Sequence, residues 1–217
     1  RFMEKGELVF DPFCGRGTTP LQACAEGRMG IGNDLNPLAY YLTKAKVNAP
    51  TKKELMIRLR ELEKKQYKPK TEKEPEIIQI IFSEKTLSQL IYLKKELKDE
   101  KREDVFIKSL ILGIIHGGSK GFLSVKMPNT FSMSRNYIKN YITKHQLEKP
   151  ERDVFKTLRK KIERVYKNEK PETKGFAFKL DARNVSDIKI NGKKILGKVK
   201  LIVTSPPYLK VIKYGQY

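Results

Sequence analysis

The spacing of apolar residues changes twice along this chain of 217 residues. Up to residue 50, short apolar runs alternate with stretches of helical period. The pattern predicts a strand over 7–12, a helix over 18–27, a strand over 29–34 and a helix over 37–47. From Thr51 to Lys174 the period is almost wholly that of an α-helix, with helices predicted over 51–66, 84–99, 102–116, 135–146 and 151–168. Ser83 and Ser134 stand where N-caps stand, and the segment Lys68-Pro-Lys-Thr-Glu-Lys-Glu-Pro75 is a polar linker bounded by prolines. The runs then shorten again, and Phe176 to Asp181 and Lys200 to Val203 return to strands. Strands alternating with helices over short connections predict an open parallel α/β sheet. The expected organisation is an α/β domain supplied by 1–50 and 175–217, with a mainly helical insertion over 51–174 between its second and third strands.

Two motifs sit at the ends of predicted strands. Leu8-Val9-Phe10 runs into Asp11-Pro-Phe-Cys-Gly15-Arg-Gly17-Thr-Thr19, a glycine-bearing turn that opens a helix. In such a unit the backbone approaches a ligand at the glycines, and free N–H groups at the helix start face it. Leu201-Ile202-Val203 delivers Thr204-Ser-Pro-Pro-Tyr208 to the carboxyl end of another strand, where open parallel sheets bind ligands. The two strand ends are therefore expected to share one crevice. Each motif also has a plainer reading, as a tight turn or a rigid proline turn. Asp34 ends the second strand and can accept hydrogen bonds from ribose hydroxyls, or cap the helix over 37–47. Asp181 has the same two readings, because Asp181-Ala182-Arg-Asn can simply cap a short helix.

These segments resemble those of S-adenosylmethionine-dependent DNA amino-methyltransferases of the N4-cytosine/N6-adenine family. Asp11-Pro12-Phe13-Cys-Gly15-Arg-Gly17-Thr18-Thr19 matches the family's cofactor segment, and Ser205-Pro206-Pro207-Tyr208 its amine-holding segment. Gly30-Ile-Gly-Asn-Asp34-Leu-Asn36-Pro37 and Phe178-Lys-Leu-Asp181-Ala182-Arg183 follow in the matching order. The resemblance covers about a third of the chain. It implies a Rossmann-like class I methyltransferase sheet and bound S-adenosylmethionine held by Asp11, Pro12, Phe13, Gly15, Gly17, Thr18, Thr19, Asp34, Asn36, Asp181 and Ala182. It also implies a catalytic segment Ser205, Pro206, Pro207 and Tyr208, with serine in first place leaning toward cytosine N4. A class I sheet has more strands than can be placed here, so a further C-terminal segment or a second chain is expected to complete it.

The chemistry needs rigid acceptors. An exocyclic amine is a poor nucleophile because its lone pair is delocalised into the ring. Acceptors that hold both amine protons favour the tetrahedral nitrogen, and a proline carbonyl is fixed in direction with no competing N–H. Ser205 Oγ and the Pro206 carbonyl are the expected acceptors, with Tyr208 as a stacking face for a base flipped out of the duplex. No covalent enzyme–base intermediate is required. Cys14 and Cys24 read as small packing residues, and with His116 and His145 they show no metal-binding spacing, so no metal is expected.

Charge points toward a polyanion. The chain carries 46 Lys and Arg against 25 Asp and Glu, a net charge of +21, as nucleic-acid binders do. A generally Lys/Glu-rich surface is the alternative, and the distribution favours DNA. No acid occurs from Val105 to Leu147 or from Ile188 to Tyr217, and the insertion holds 31 Lys and Arg against 18 Asp and Glu. Lys120, Lys126, Asn129, Arg135 and Lys139 are the expected nucleic-acid contacts, with the loop Gly117 to Ser134 lining the groove or packing as a connector. The run Lys156-x-x-Arg159-Lys-Lys161-x-x-Arg164-x-x-Lys167 has two readings, a solvated charged face, which is the commoner case, or a set of phosphate contacts added by the Lys-rich helix 151–168 to those of the acid-free stretch 105–147. No run reaches the length of a membrane span, no export signal opens the chain, and a cytoplasmic location is expected. The expected activity is site-specific DNA methylation, as in restriction-modification. An RNA base amino-methyltransferase and a non-catalytic nucleic-acid-binding fragment or subunit are the alternatives.

Overall fold

Backbone pairing joins four strands in the order β3-β2-β1-β6, every neighbour parallel. They are β1 (Leu8–Asp11), β2 (Met29–Asn33), β3 (Phe176–Phe178) and β6 (Val199–Ile202). This is a computed structural model, and it describes residues 3–119, 121–127, 134–167, 171 and 173–206. The chain divides into two compact units, one of residues 1–50 with 168–217 and one of 51–167. The sequence reading put the second boundary at 174/175, so residues 168–174 fall with the sheet instead.

In the sheet unit, α1 (Thr18–Ala25) and α2 (Pro37–Val47) pack on one face. Their approach is set by the glycines of β2. A Cβ at Gly30 would lie 2.0 Å from the Pro20 carbonyl oxygen, and one at Gly32 would lie 2.9 Å from Cys14 Sγ. Side chains alternate along a strand, so Ile31 points away from those helices and joins Phe10, Ile188 and Ile195 in a core on the opposite face. That face is covered by a 3₁₀ segment (Ala182–Asp187) and a hairpin of β4 (Lys189–Ile190) and β5 (Lys193–Lys194). Beyond the short helix that Asp181 can cap, the sequence reading places no element before 199. Yet Asn191-Gly192, with φ of 50° and 77°, is the dipeptide that two-residue hairpins favour.

The helical unit consists of α3 (Lys52–Lys64), α4 (Glu76–Ile81), α5 (Glu84–Glu96), α6 (Arg102–Leu112), α7 (Arg135–Lys144) and α8 (Val154–Val165). Ser83 accepts from Thr86 N and Ser134 from Tyr137 N, each as an N-cap. Asp153 caps α8 through Lys156 N, which sets its start three residues later than the sequence period suggested. The short α4 follows Pro75, where the sequence reading assigned nothing. Leu55, Leu59, Tyr92, Leu93, Phe155 and Leu158 form the buried interior. Within it Asp104, fully buried, accepts both a bidentate pair from Arg58 (2.7 and 3.0 Å) and the Lys98 N–H. The Lys98 N–H adds a third hydrogen bond to the Arg58 pair, the kind of partnering a buried charge requires.

Candidate functional site

The carboxyl ends of β1 and β6 are neighbours, and a side-chain bond joins them. Thr204 Oγ1 donates to Asp11 Oδ1 at 2.6 Å, and the same oxygen accepts Phe13 N at 3.1 Å. Asp11 is buried. The turn that follows it thus starts from an aspartate already fixed by the residue preceding Ser205. Ser205 and Pro206 are exposed at this end of β6, while Pro207 and Tyr208 lie outside the described residues.

The glycines of the loop have different duties. Gly17, at φ 76°, is the N-cap of α1, and a Cβ there would lie 2.5 Å from Thr43 Oγ1 and 3.0 Å from Thr43 Cα. It is glycine because α2 passes against it. Gly15, also left-handed at φ 49°, has open space where its Cβ would be. Its N–H donates to Asp34 Oδ2 at 2.9 Å and its carbonyl accepts from Thr43 Oγ1 at 3.3 Å, so the peptide is held while its Cα side faces an open volume. The α1 N-terminus has no side-chain cap and no acid in its first turn, and Thr18 and Thr19 begin it.

Asp34 accepts one N–H on each oxygen, from Gly15 and from Asn36 at 2.9 Å. A carboxylate has about four lone-pair sites, so both oxygens retain acceptor capacity. The cap of α2 is Asn36, whose Oδ1 accepts from Leu38 N at 2.9 Å. Of the two sequence readings of Asp34, the helix cap therefore falls to its neighbour. Asp181 does cap: its Oδ1 accepts from Arg183 N at the start of the 3₁₀ segment, which begins at Ala182. The Arg183 guanidinium also pairs with both of its oxygens, at 3.0 and 2.7 Å, and holds its carboxyl well below the usual range, at about 2.

Two residues the sequence reading passed over tie these parts together. Asn33, with no exposed surface, donates to the Pro12 and Leu180 carbonyls and accepts Leu180 N at 3.0 Å, linking the ends of β1 and β3 through β2. Thr43, equally buried, reaches Gly15 O and lies 3.4 Å from Cys14 Sγ. A polar residue inside an otherwise apolar strand or helix face was the available signal in both cases. Cys14 and Cys24 are buried, and burial pushes the Cys14 thiol up to about 11, too weak an acid to serve as a nucleophile near neutrality. Among the described residues no cluster of three or more His, Cys, Asp or Glu is placed to hold a metal, and no helix is long and apolar enough to cross a membrane.

The expected nucleic-acid contacts do not share one environment. Lys126 and Arg135 are exposed, but Lys139 pairs with Glu76 at 2.6 Å, and Lys120 and Asn129 lie outside the described residues. The stretch that lacks acids in sequence receives them in space, from Glu76 and, at Lys108, from Asp99. No family model, curated protein or solved structure matches the chain.

Proposed function

We propose that this chain belongs to an S-adenosylmethionine-dependent DNA amino-methyltransferase and that its sheet is part of a class I methyltransferase sheet, with cytosine N4 the favoured acceptor over adenine N6. The observation that carries the reading is the 2.6 Å contact between Thr204 and Asp11, because it brings the turn after β1 and the Ser205-Pro206 segment after β6 to one sheet edge. Brought together this way, one strand end can hold a donor and the other an acceptor.

The residues present fit the cofactor. Gly15 leaves an open volume beside a fixed peptide, α1 begins without a cap, and Asp34 keeps acceptor capacity at the end of β2. S-adenosylmethionine, when bound, supplies an electrophilic methyl group. Asp34 accepts ribose hydroxyls, and Asp181, ionised through Arg183 at any ordinary pH, accepts an adenine amine. Ser205 Oγ and the Pro206 carbonyl hold the protons of the target amine and favour its tetrahedral form. The Asp11–Thr204 bond positions that segment.

The test is transfer of a labelled methyl group from S-adenosylmethionine to duplex DNA, single-stranded DNA and tRNA, followed by digestion of the product. The proposal expects N4-methylcytosine in DNA. Label in tRNA alone, or none in any nucleic acid together with no cofactor binding in calorimetry, contradicts it. Asp34→Ala should weaken S-adenosylmethionine binding by roughly 1.5–3 kcal/mol, the worth of a hydrogen bond to a charged group. Unchanged affinity would leave Asp34 only its bonds to Gly15 and Asn36.

A further inference from the structure

The charged face of α8, which the sequence leaves between solvent and phosphate contact, lines a cleft. Lys156, Lys160, Lys161 and Arg164 form one wall of a cavity of about 640 Å3, and Gly121 and Phe122 belong to the other. The two sides of α8 treat their charges differently. Arg159 turns away to pair with Glu63, and Glu163 pairs with Lys52. Along the cleft, none of the ion pairs among the described residues involves Lys156, Lys160, Lys161 or Arg164. The two acids at its rim are engaged elsewhere: Asp153 caps α8 and accepts from Gln89, and Glu151 lies 3.6 Å from Lys85.

Like charges one helical turn apart repel and weaken a helix. Here three of them, at 156, 160 and 164, follow one another at single-turn spacing. Lys161 beside them is held below its usual basicity by burial and by the Arg164 charge. The Nε of Arg152, which also lines the cleft, is buried without a hydrogen-bond partner. A buried donor left unpaired is costly, and a concave surface that concentrates one sign of charge focuses the field outward. The repulsion among the cations falls when an anion occupies the cleft. Gly121, at φ 118°, adds no side chain to the facing wall at its own position.

We infer that this cleft is a groove for the phosphodiester backbone of a nucleic acid. The identity of the polyanion rests on the reading of the chain as a DNA methyltransferase. From Lys156 to Arg164 the helix rises about 12 Å, the axial length of roughly three to four nucleotides of one strand at about 3.4 Å each. The contacts are to phosphate and carry no sequence preference.

The experiment is a fluorescence-anisotropy titration of the full chain with labelled duplex DNA across a salt series, without S-adenosylmethionine, comparing the wild type with K160Q/K161Q/R164Q. Each phosphate contact contributes about 0.9 to the slope of log K against log salt. The triple variant should therefore flatten the slope by about 2–3 and lose tenfold or more in affinity on every sequence alike. The charge-keeping variant K160R/K161R/R164K should retain the slope, which a folding defect would not predict. K52Q, in an ion pair on the other side of α8, should leave it unchanged. A triple variant with the wild-type slope overturns the inference, as does a wild type that ignores DNA or prefers vesicles of anionic lipid. Because no methyl transfer is read, DNA binding through α8 with no methylation would sink the enzymatic reading and leave the groove standing.

Discussion

Asp11, Asn33, Asp34 and Asp181, at the strand ends of the sheet unit, are each held by bonds of 3.3 Å or less. The cations along the α8 cleft have no acidic partner among the described residues. The difference is between geometry and field. A polar group that accepts from two backbone N–H groups is fixed in place before a ligand arrives, so it selects by position. An unpaired lysine on a helix remains mobile and acts through charge, selecting only by sign and spacing. The strand ends should accordingly be sensitive to substitution and indifferent to salt, and the cleft the reverse.

Asn33→Ala offers the hardest blow to the first half of that contrast. It leaves Leu180 N and O and the Pro12 carbonyl, all partly buried, without the partner that the wholly buried Asn33 provides. At about 1–3 kcal/mol for an unsatisfied buried group, the loss should be about 3 kcal/mol in urea unfolding and should not change with salt. A loss below about 0.5 kcal/mol, the range of ordinary surface substitutions, would mean that the strand ends are not held through Asn33.

Gly17 and Gly15 sharpen the same contrast within one loop. Alanine at 17 meets Thr43 and a left-handed backbone together, and should destabilise by about 1–3 kcal/mol for the strain alone. Alanine at 15 meets a left-handed backbone but open space, so it should carry the strain without the clash, about 1–2 kcal/mol, while reducing S-adenosylmethionine affinity in calorimetry. Equal effects on stability and no effect on cofactor binding would erase the distinction between a packing glycine and a ligand-facing one.

Asp181 supplies the smallest effect. Its folded pKa lies below the ordinary value, so its contribution to stability is complete above the ordinary carboxylate range and is lost as pH falls toward 2. An Arg183→Ala variant should raise the carboxyl titration, read by carbon NMR, toward about 3.9. A titration that stays near 2 would assign the shift to the capped backbone N–H instead.

Much of the sheet unit was legible because its signals are local. Gly15-Arg-Gly17 marks a turn, Leu8 to Phe10 and Leu201 to Val203 mark strands, and the order of strands and helices dictates a parallel sheet. Asn191-Gly192 was just as local, and the sequence reading passed over it. The charges were harder to read, because their partners are remote in sequence. Lys139 and Glu76 are 63 residues apart, and Arg159 and Glu63 are 96 apart, so an acid-free stretch need not be an acid-free surface. The same distance hid the cleft, whose walls belong to α8 and to residues near 121. Asn33 and Thr43 were obscured differently: one looks like a polar residue ending an apolar strand and the other like a polar residue on the apolar face of α2, and only the neighbouring strand end or loop gives each a partner.

Ser205→Ala tests most directly whether the joined strand ends act as one catalytic site. If Ser205 Oγ holds the target amine as it becomes tetrahedral, the interaction is stronger in the transition state than in the ground state, so its loss should reduce rate more than binding. Single-turnover methylation of duplex DNA should slow by at least about tenfold, or 1.4 kcal/mol, while S-adenosylmethionine and DNA affinities stay within a few-fold of wild type. Methylation by the variant at the wild-type rate would contradict the account.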